Sequence, residues 1–258
     1  MTVLLGCAEM INSDFGLIGE VNVNDEGSWR GRPFLTFDID WAHDQIVEDT
    51  INLVESFGVS ATWFVTHKSR QIDRLRTNSL FQLGLHPNFN PLLDGGQKSH
   101  GNAAEILASL CEIVPDAKVL RSHSLTQSER LVDLFLAHGV THMSNTFIPI
   151  SQNNHITPWC LWGSLTVVPH CWQDNVSLKM ELPFPGKIES LRHLVVYDFH
   201  PIQVFLNTEH LDRYEGTRHL HQRPDELIKH RFEGSGARTR LLELLAREKT
   251  RVGLPRCP

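Results

Sequence analysis

Cysteine is scarce and has no pairing pattern. Cys7, Cys111, Cys160, Cys171 and Cys257 are an odd five with no Cys-x-x-Cys among them. That argues against a disulfide framework and against a cysteine-built zinc site, and it suits free thiols in a reducing compartment. No apolar run approaches the roughly 18 residues that a membrane-crossing helix needs. The stretch Thr2 to Cys7 is too short for the core of a secretion signal and follows no basic residue. A cytoplasmic address without a membrane span is therefore expected. Long runs of one charge are also missing, and the net charge is −6 with histidine neutral. This speaks against a nucleic acid or an anionic membrane as partner.

What the chain has in plenty is histidine, 15 among 258 residues, which hints at metal or acid–base chemistry. The apolar fraction of 41% is enough for a sizeable core. We expect a single domain over 1–258, with an irregular N-terminal segment 1–33 and a C-terminal extension 207–258.

The pattern becomes regular at Phe34. Phe34 to Phe37 reads as a strand running into Asp38 and Asp40. Strand side chains alternate faces, so the two carboxylates should share one side. There they repel unless a cation, an arginine or a shared proton lies between them. A helix follows, with Asp44 as its N-cap and Gly58 as its stop. Further strands are expected at 61–66, 81–85, 118–122, 141–147, 165–169 and 193–199. Helical stretches are expected at 67–79, 103–113, 129–138 and 238–247. The alternation predicts an α/β fold with about seven parallel strands, open or closed into a barrel. The Gly/Asn/Pro-rich loop 87–102 is long for a connector.

Polar residues collect just after the strands: Asp38 and Asp40, then His86 and Asn90, Arg121 and His123, and Asp198 and His200. In a parallel barrel these gather on one rim. Trp159, Trp162 and Trp172 are aromatic enough to stack on sugar rings, although core roles are more usual for tryptophan.

In these motifs the sequence resembles the NodB-homology polysaccharide deacetylases, family 4 of the carbohydrate esterases. Thr36-Phe-Asp-x-Asp is similar to that family's first motif. Gly84-Leu-His86-Pro-Asn-Phe-Asn90-Pro91 lines up with its His-x-x-x-His-Pro. Leu120-Arg121-Ser-His resembles its Arg-x-Pro, and Tyr197-Asp-Phe-His200-Pro its last strand end. The resemblance spans about 34–205 and implies a distorted (β/α) barrel with one divalent metal ion, zinc first. By the same resemblance, Asp38 is the general base, Asp40 and His86 are metal ligands, Arg121 orients the base, and His200 is the acid.

Three departures matter. The family's adjacent Asp-Asp is Asp-Ile-Asp here. Asn90 stands for the second metal histidine, and its amide oxygen would weaken zinc or favour a harder ion. His123 stands where the family has proline and is a substitute ligand or a substrate contact; Asp44 is another candidate for contacting substrate. The expected function is metal-dependent removal of an N-acetyl group from a sugar or a nucleotide- or lipid-linked glycan precursor, in surface-polysaccharide biosynthesis. The alternatives are a catalytically inactive glycan-binding relative and a C–N hydrolase of a non-sugar amide.

Overall fold

The computed structural model describes residues 15–93, 101–150, 155–182 and 193–251. Strand β1, Pro33–Asp38, is buried at every position, as expected of a central parallel strand covered on both faces. It leads through a turn to α1, Asp44–Phe57, whose Ile46, Val47, Thr50, Ile51 and Val54 turn inward. The N-cap is His43, whose Nδ1 accepts from Gln45 N at 3.3 Å. Asp44 is therefore not the cap as expected. It is the first helical residue and reaches across to Ser69 Oγ (2.6 Å) and Arg70 N (3.1 Å).

The chain continues through β2 (Ala61–Val65), α2 (Ile72–Thr77), β3 (Phe81–Leu85), the short α3 (Asn90–Leu93) and α4 (Ala103–Ile113). Then come β4 (Val119–Leu120), α5 (Glu129–Ala137), β5 (His142–Met143), β6 (Trp159–Leu161), β7 (Leu165–Val167) and β8 (Trp172–Gln173). The last part holds α6 (Asp174–Lys179), β9 (Val195–Phe199), α7 (Pro201–Leu206), α8 (Leu211–Gly216), α9 (Pro224–Leu227) and α10 (Ala237–Arg251). Part of the long loop 87–102 lies outside the described residues.

The strands form one sheet in the order β6-β7-β5-β4-β3-β2-β1-β9-β8. All neighbouring pairs are parallel except β6 with β7. The sheet curls into the expected distorted barrel. A parallel bridge between Phe147 and His170 spans from beyond β5 to just before β8. It is made by Ile148 N to His170 O and His170 N to Thr146 O, both 2.9 Å. Among the described residues nine strands stand where about seven were expected. Trp159–Leu161 and Trp172–Gln173 are three and two residues long, too short to show an alternation.

The C-terminal extension is packed, not appended. Leu241, Leu244 and Leu245 of α10 are buried. Asp49 of α1 pairs with Arg238 and, at 3.5 Å, with Arg231.

Candidate active site

Asp38 ends β1 and is almost fully buried. Beyond it the backbone leaves the strand: Asp40 and Trp41 take positive φ, 39° and 55°. The turn is closed by Ala42 N to Ile39 O (2.8 Å) and Trp41 N to Thr66 Oγ1 (3.1 Å). Asp38 and Asp40 therefore do not share a strand face as expected, because Asp40 lies outside the strand. The carboxylates come together through a left-handed turn, at a cost of about 1–2 kcal/mol per such residue.

Separated from β1 by β2, β3 delivers His86, anchored by its backbone N to Val65 O at 2.9 Å. Its Nε2 lies 3.2 Å from Asp40 Oδ1 and its Nδ1 3.6 Å from Asp38 Oδ1. Neither buried ring nitrogen makes a well-aligned hydrogen bond within the protein. His123, just past β4, sets its Nδ1 3.1 Å from the same Asp40 oxygen. Asp40, His86 and His123 thus each offer one ligating atom, all within 4.8 Å of one another.

Asn90 is not in this group. Its Nδ2 donates to Ser124 Oγ (2.9 Å) and its Oδ1 accepts from Thr126 Oγ1 (3.3 Å). Asp44, engaged with Ser69 and Arg70, is likewise absent from the cleft lining. Trp172 is core, while Trp159 and Trp162 are exposed on the β6–β7 edge.

Arg121 is completely buried at the end of β4. Its Nη1 contacts Asp38 Oδ1 (3.0 Å), Thr36 Oγ1 (2.9 Å) and Asp198. Nη2 donates to Ser144 Oγ (2.9 Å), and the guanidinium lies over the Phe64 ring at 4.5 Å. Asp198 sits opposite Thr36 in the β1–β9 register and also accepts from Thr36 Oγ1 at 2.8 Å. The arginine is therefore shared by two carboxylates.

His200 follows β9. Its Nδ1 lies 2.6 Å from Asp174 Oδ1, and its backbone N donates to Asp174 Oδ2 at 2.7 Å. Nε2 points the other way, 3.4 Å from Asp40 Oδ2. Asp174 escaped the sequence reading. It follows the two-residue β8, and the only available signal was another carboxylate at a strand end.

Burial governs the electrostatics but does not always win. It opposes charge on Asp40, yet contacts with His123 and His86 and the charge of His200 hold this carboxyl well below the usual range. Burial would discharge His200, but the Asp174 carboxylate outweighs it and holds the ring well above the usual imidazole range. His86 is raised in the same sense by Asp38 and Asp40, again against burial. Asp198 is pushed up by burial, with Arg121 opposing and Asp38 adding to the rise. Four carboxylates (Asp38, Asp40, Asp174 and Asp198) thus gather here against Arg121, which pairs with two of them, and the raised His200, which pairs with Asp174. The excess negative charge, the orphaned His86 ring and the one-oxygen, two-nitrogen donor set all fit a divalent cation of the zinc type.

Asp38, Asp40, His86, His123 and His200 line a cleft of about 650 Å³, together with Lys179, Gln203 and Tyr214.

In comparison with known proteins, residues 35–218 match the family described as WbmS-like polysaccharide deacetylase. A crystal structure from Bordetella bronchiseptica, of a protein proposed as a polysaccharide deacetylase involved in O-antigen biosynthesis, is 41% identical. It superposes with a TM-score of 0.86, covering 91% of this chain and 98% of the other. A proposed polysaccharide deacetylase from Mycobacterium smegmatis is 15% identical, with a TM-score of 0.44 over 87% of this chain and 92% of the other. The comparison with curated proteins gave no match.

Proposed function

This chain belongs to the WbmS-like polysaccharide deacetylases, and from that premise we propose that it is a divalent-metal-dependent N-deacetylase of a surface-polysaccharide precursor. The observation that carries the metal is the convergence of Asp40, His86 and His123 on one point in the cleft. We assign these three as the ligands, with His123 in the place expected of Asn90. These residues would hold the ion, and the chemistry it would supply there is a lowered pKa of water and a polarised acetamido carbonyl.

The protein's own groups then divide the proton work. Asp38, fixed by Arg121 at 3.0 Å, takes the proton of the attacking water. Arg121 cannot itself take a proton, so it orients the carboxylate without competing for the base role. His200 gives a proton from Nε2 to the nitrogen that leaves. Its Nδ1 is held by Asp174, which fixes the ring so that Nε2 faces the cleft. The products are a free amine and acetate. Asp38 and His200 both stand close to Asp40 and His86, which supports a hydrolase over an inactive glycan binder. Free thiols at Cys111, Cys160 and Cys171 suit work in a reducing compartment on a glycan before export.

The test is acetate release from N-acetylated sugar oligomers by the full chain, with and without added zinc. Zinc-dependent release that a chelator abolishes is the expected result. Protein that binds no divalent metal near one per chain would end the reading.

A further inference from the structure

Asn90, expected from the sequence to be a ligand, instead grips the loop that carries His123. That loop, 122–126, is strained: Ser124 and Leu125 both take φ of 55°, a conformation that side chains other than glycine seldom hold unaided. Asn145 holds its two ends. Its Oδ1 accepts from Ser122 N at 2.7 Å, and its Nδ2 donates to Thr126 O at 3.2 Å. Asn90 holds the strained middle and the far end. Its Nδ2 donates to Ser124 Oγ at 2.9 Å and its Oδ1 accepts from Thr126 Oγ1 at 3.3 Å. Between these clamps, His123 N donates to Pro87 O at 2.9 Å, and the ring is delivered to Asp40 Oδ1 at 3.1 Å.

We propose that Asn90 is a positioning residue for the metal site, acting through the 122–126 loop to hold His123 against Asp40 and His86. The inference rests on the reading that these three residues bind a divalent ion. Both ends of the Asn90 amide are engaged by the loop, so its effect on metal reaches the site through His123. Without the clamp, the loop relaxes toward negative φ and the imidazole must be ordered anew at each binding event. Loss of a partner that orients a ligand typically weakens metal binding about 10–100-fold.

The experiment is zinc affinity, by competition with a chromophoric chelator, across a double-mutant cycle in the full-length protein. Asn90→Ala should weaken zinc about 10-fold or more. In a His123→Ala background the same change should alter affinity by less than about twofold, because its effect passes through the missing imidazole. Equal losses in both backgrounds would overturn the proposal and make Asn90 an independent contributor, such as a ligand. Unchanged affinity in Asn90→Ala alone would overturn it too. Ser124→Ala removes the other end of one clamp bond and should weaken zinc in the same direction, so the idea stays exposed if Asn90→Ala fails to fold. With cobalt in place of zinc, Asn90→Ala should change the visible d–d bands as His123→Ala does. Wild-type protein that takes up no zinc would instead sink the metal reading itself, a result visible before any variant is made.

Discussion

At the scale of single residues, the site holds two carboxylate-led pairs beside the proposed ligand group. Asp38 leans on Arg121, and His200 leans on Asp174. Asp38→Asn preserves shape and removes the proton acceptor, so kcat should fall at least about 10²-fold with zinc still bound. Turnover near wild type would move the base role elsewhere. Asp174→Asn leaves His200 in place but takes away the charge that keeps it protonated. Here kcat should fall about 10–100-fold with zinc affinity nearly unchanged, and a matching loss of zinc would show that Asp174 supports the ligands instead. Asp38, Arg121 and His200 were legible in the sequence because ordinary strands deliver them. Asp40 and His123 were named from the sequence as well, as a ligand and as a substitute ligand or substrate contact, but the way they meet depends on positive-φ residues at 40–41 and 124–125, and periodicity carries no record of such turns.

At the scale of elements, β3 shows how closely the sheet is fitted beneath the site. Gly84 lies between Phe64 and Val119, where an added Cβ would come within 2.6 Å and 2.8 Å of their side chains. Phe64 in turn carries the guanidinium of Arg121 on its ring face. Gly84→Ala should therefore cost about 1–3 kcal/mol through overpacking, read as a lowered midpoint in thermal unfolding. It should also lower kcat by disturbing Arg121; an unchanged midpoint would mean that Phe64 has room to move. The sequence located β1, β2, β3 and β9 closely because each is a five- or six-residue stretch dominated by apolar residues. It overextended β4 and β5, which pair over two residues each. There the chain stays extended beyond the ladder, and composition alone cannot tell the two apart. The polar stretch 67–79 shrank for a related reason: only Ile72 and Leu75 offer a buried face, enough for α2 and no more.

At the scale of the whole molecule, the barrel was legible from the alternation of strands and helices, but its seam was not. The seam depends on His170, whose backbone forms the bridge to Phe147 and whose ring is fully buried, with Nε2 3.1 Å from Gln173 Oε1. Burial, reinforced by the nearby Arg121 charge, lowers this imidazole from 6.5 to about 3. The unfolded chain therefore binds a proton at residue 170 below pH 6.5, and the folded chain refuses it until about pH 3. The stabilising difference is fully present above the upper value and is lost as the pH falls through that window, at up to about 1.4 kcal/mol per pH unit. Other acid-sensitive groups share the limb, so the informative quantity is the gap between wild type and His170→Gln. Glutamine keeps a donor for Gln173 and cannot titrate. The variant should be less stable than wild type at pH 8, through imperfect packing, and the gap should narrow steadily between pH 6.5 and 4. Urea unfolding at a series of pH values measures it directly. Parallel curves for the two proteins would mean that the ring takes up its proton in the folded state, and that the seam opens to water well before the barrel unfolds.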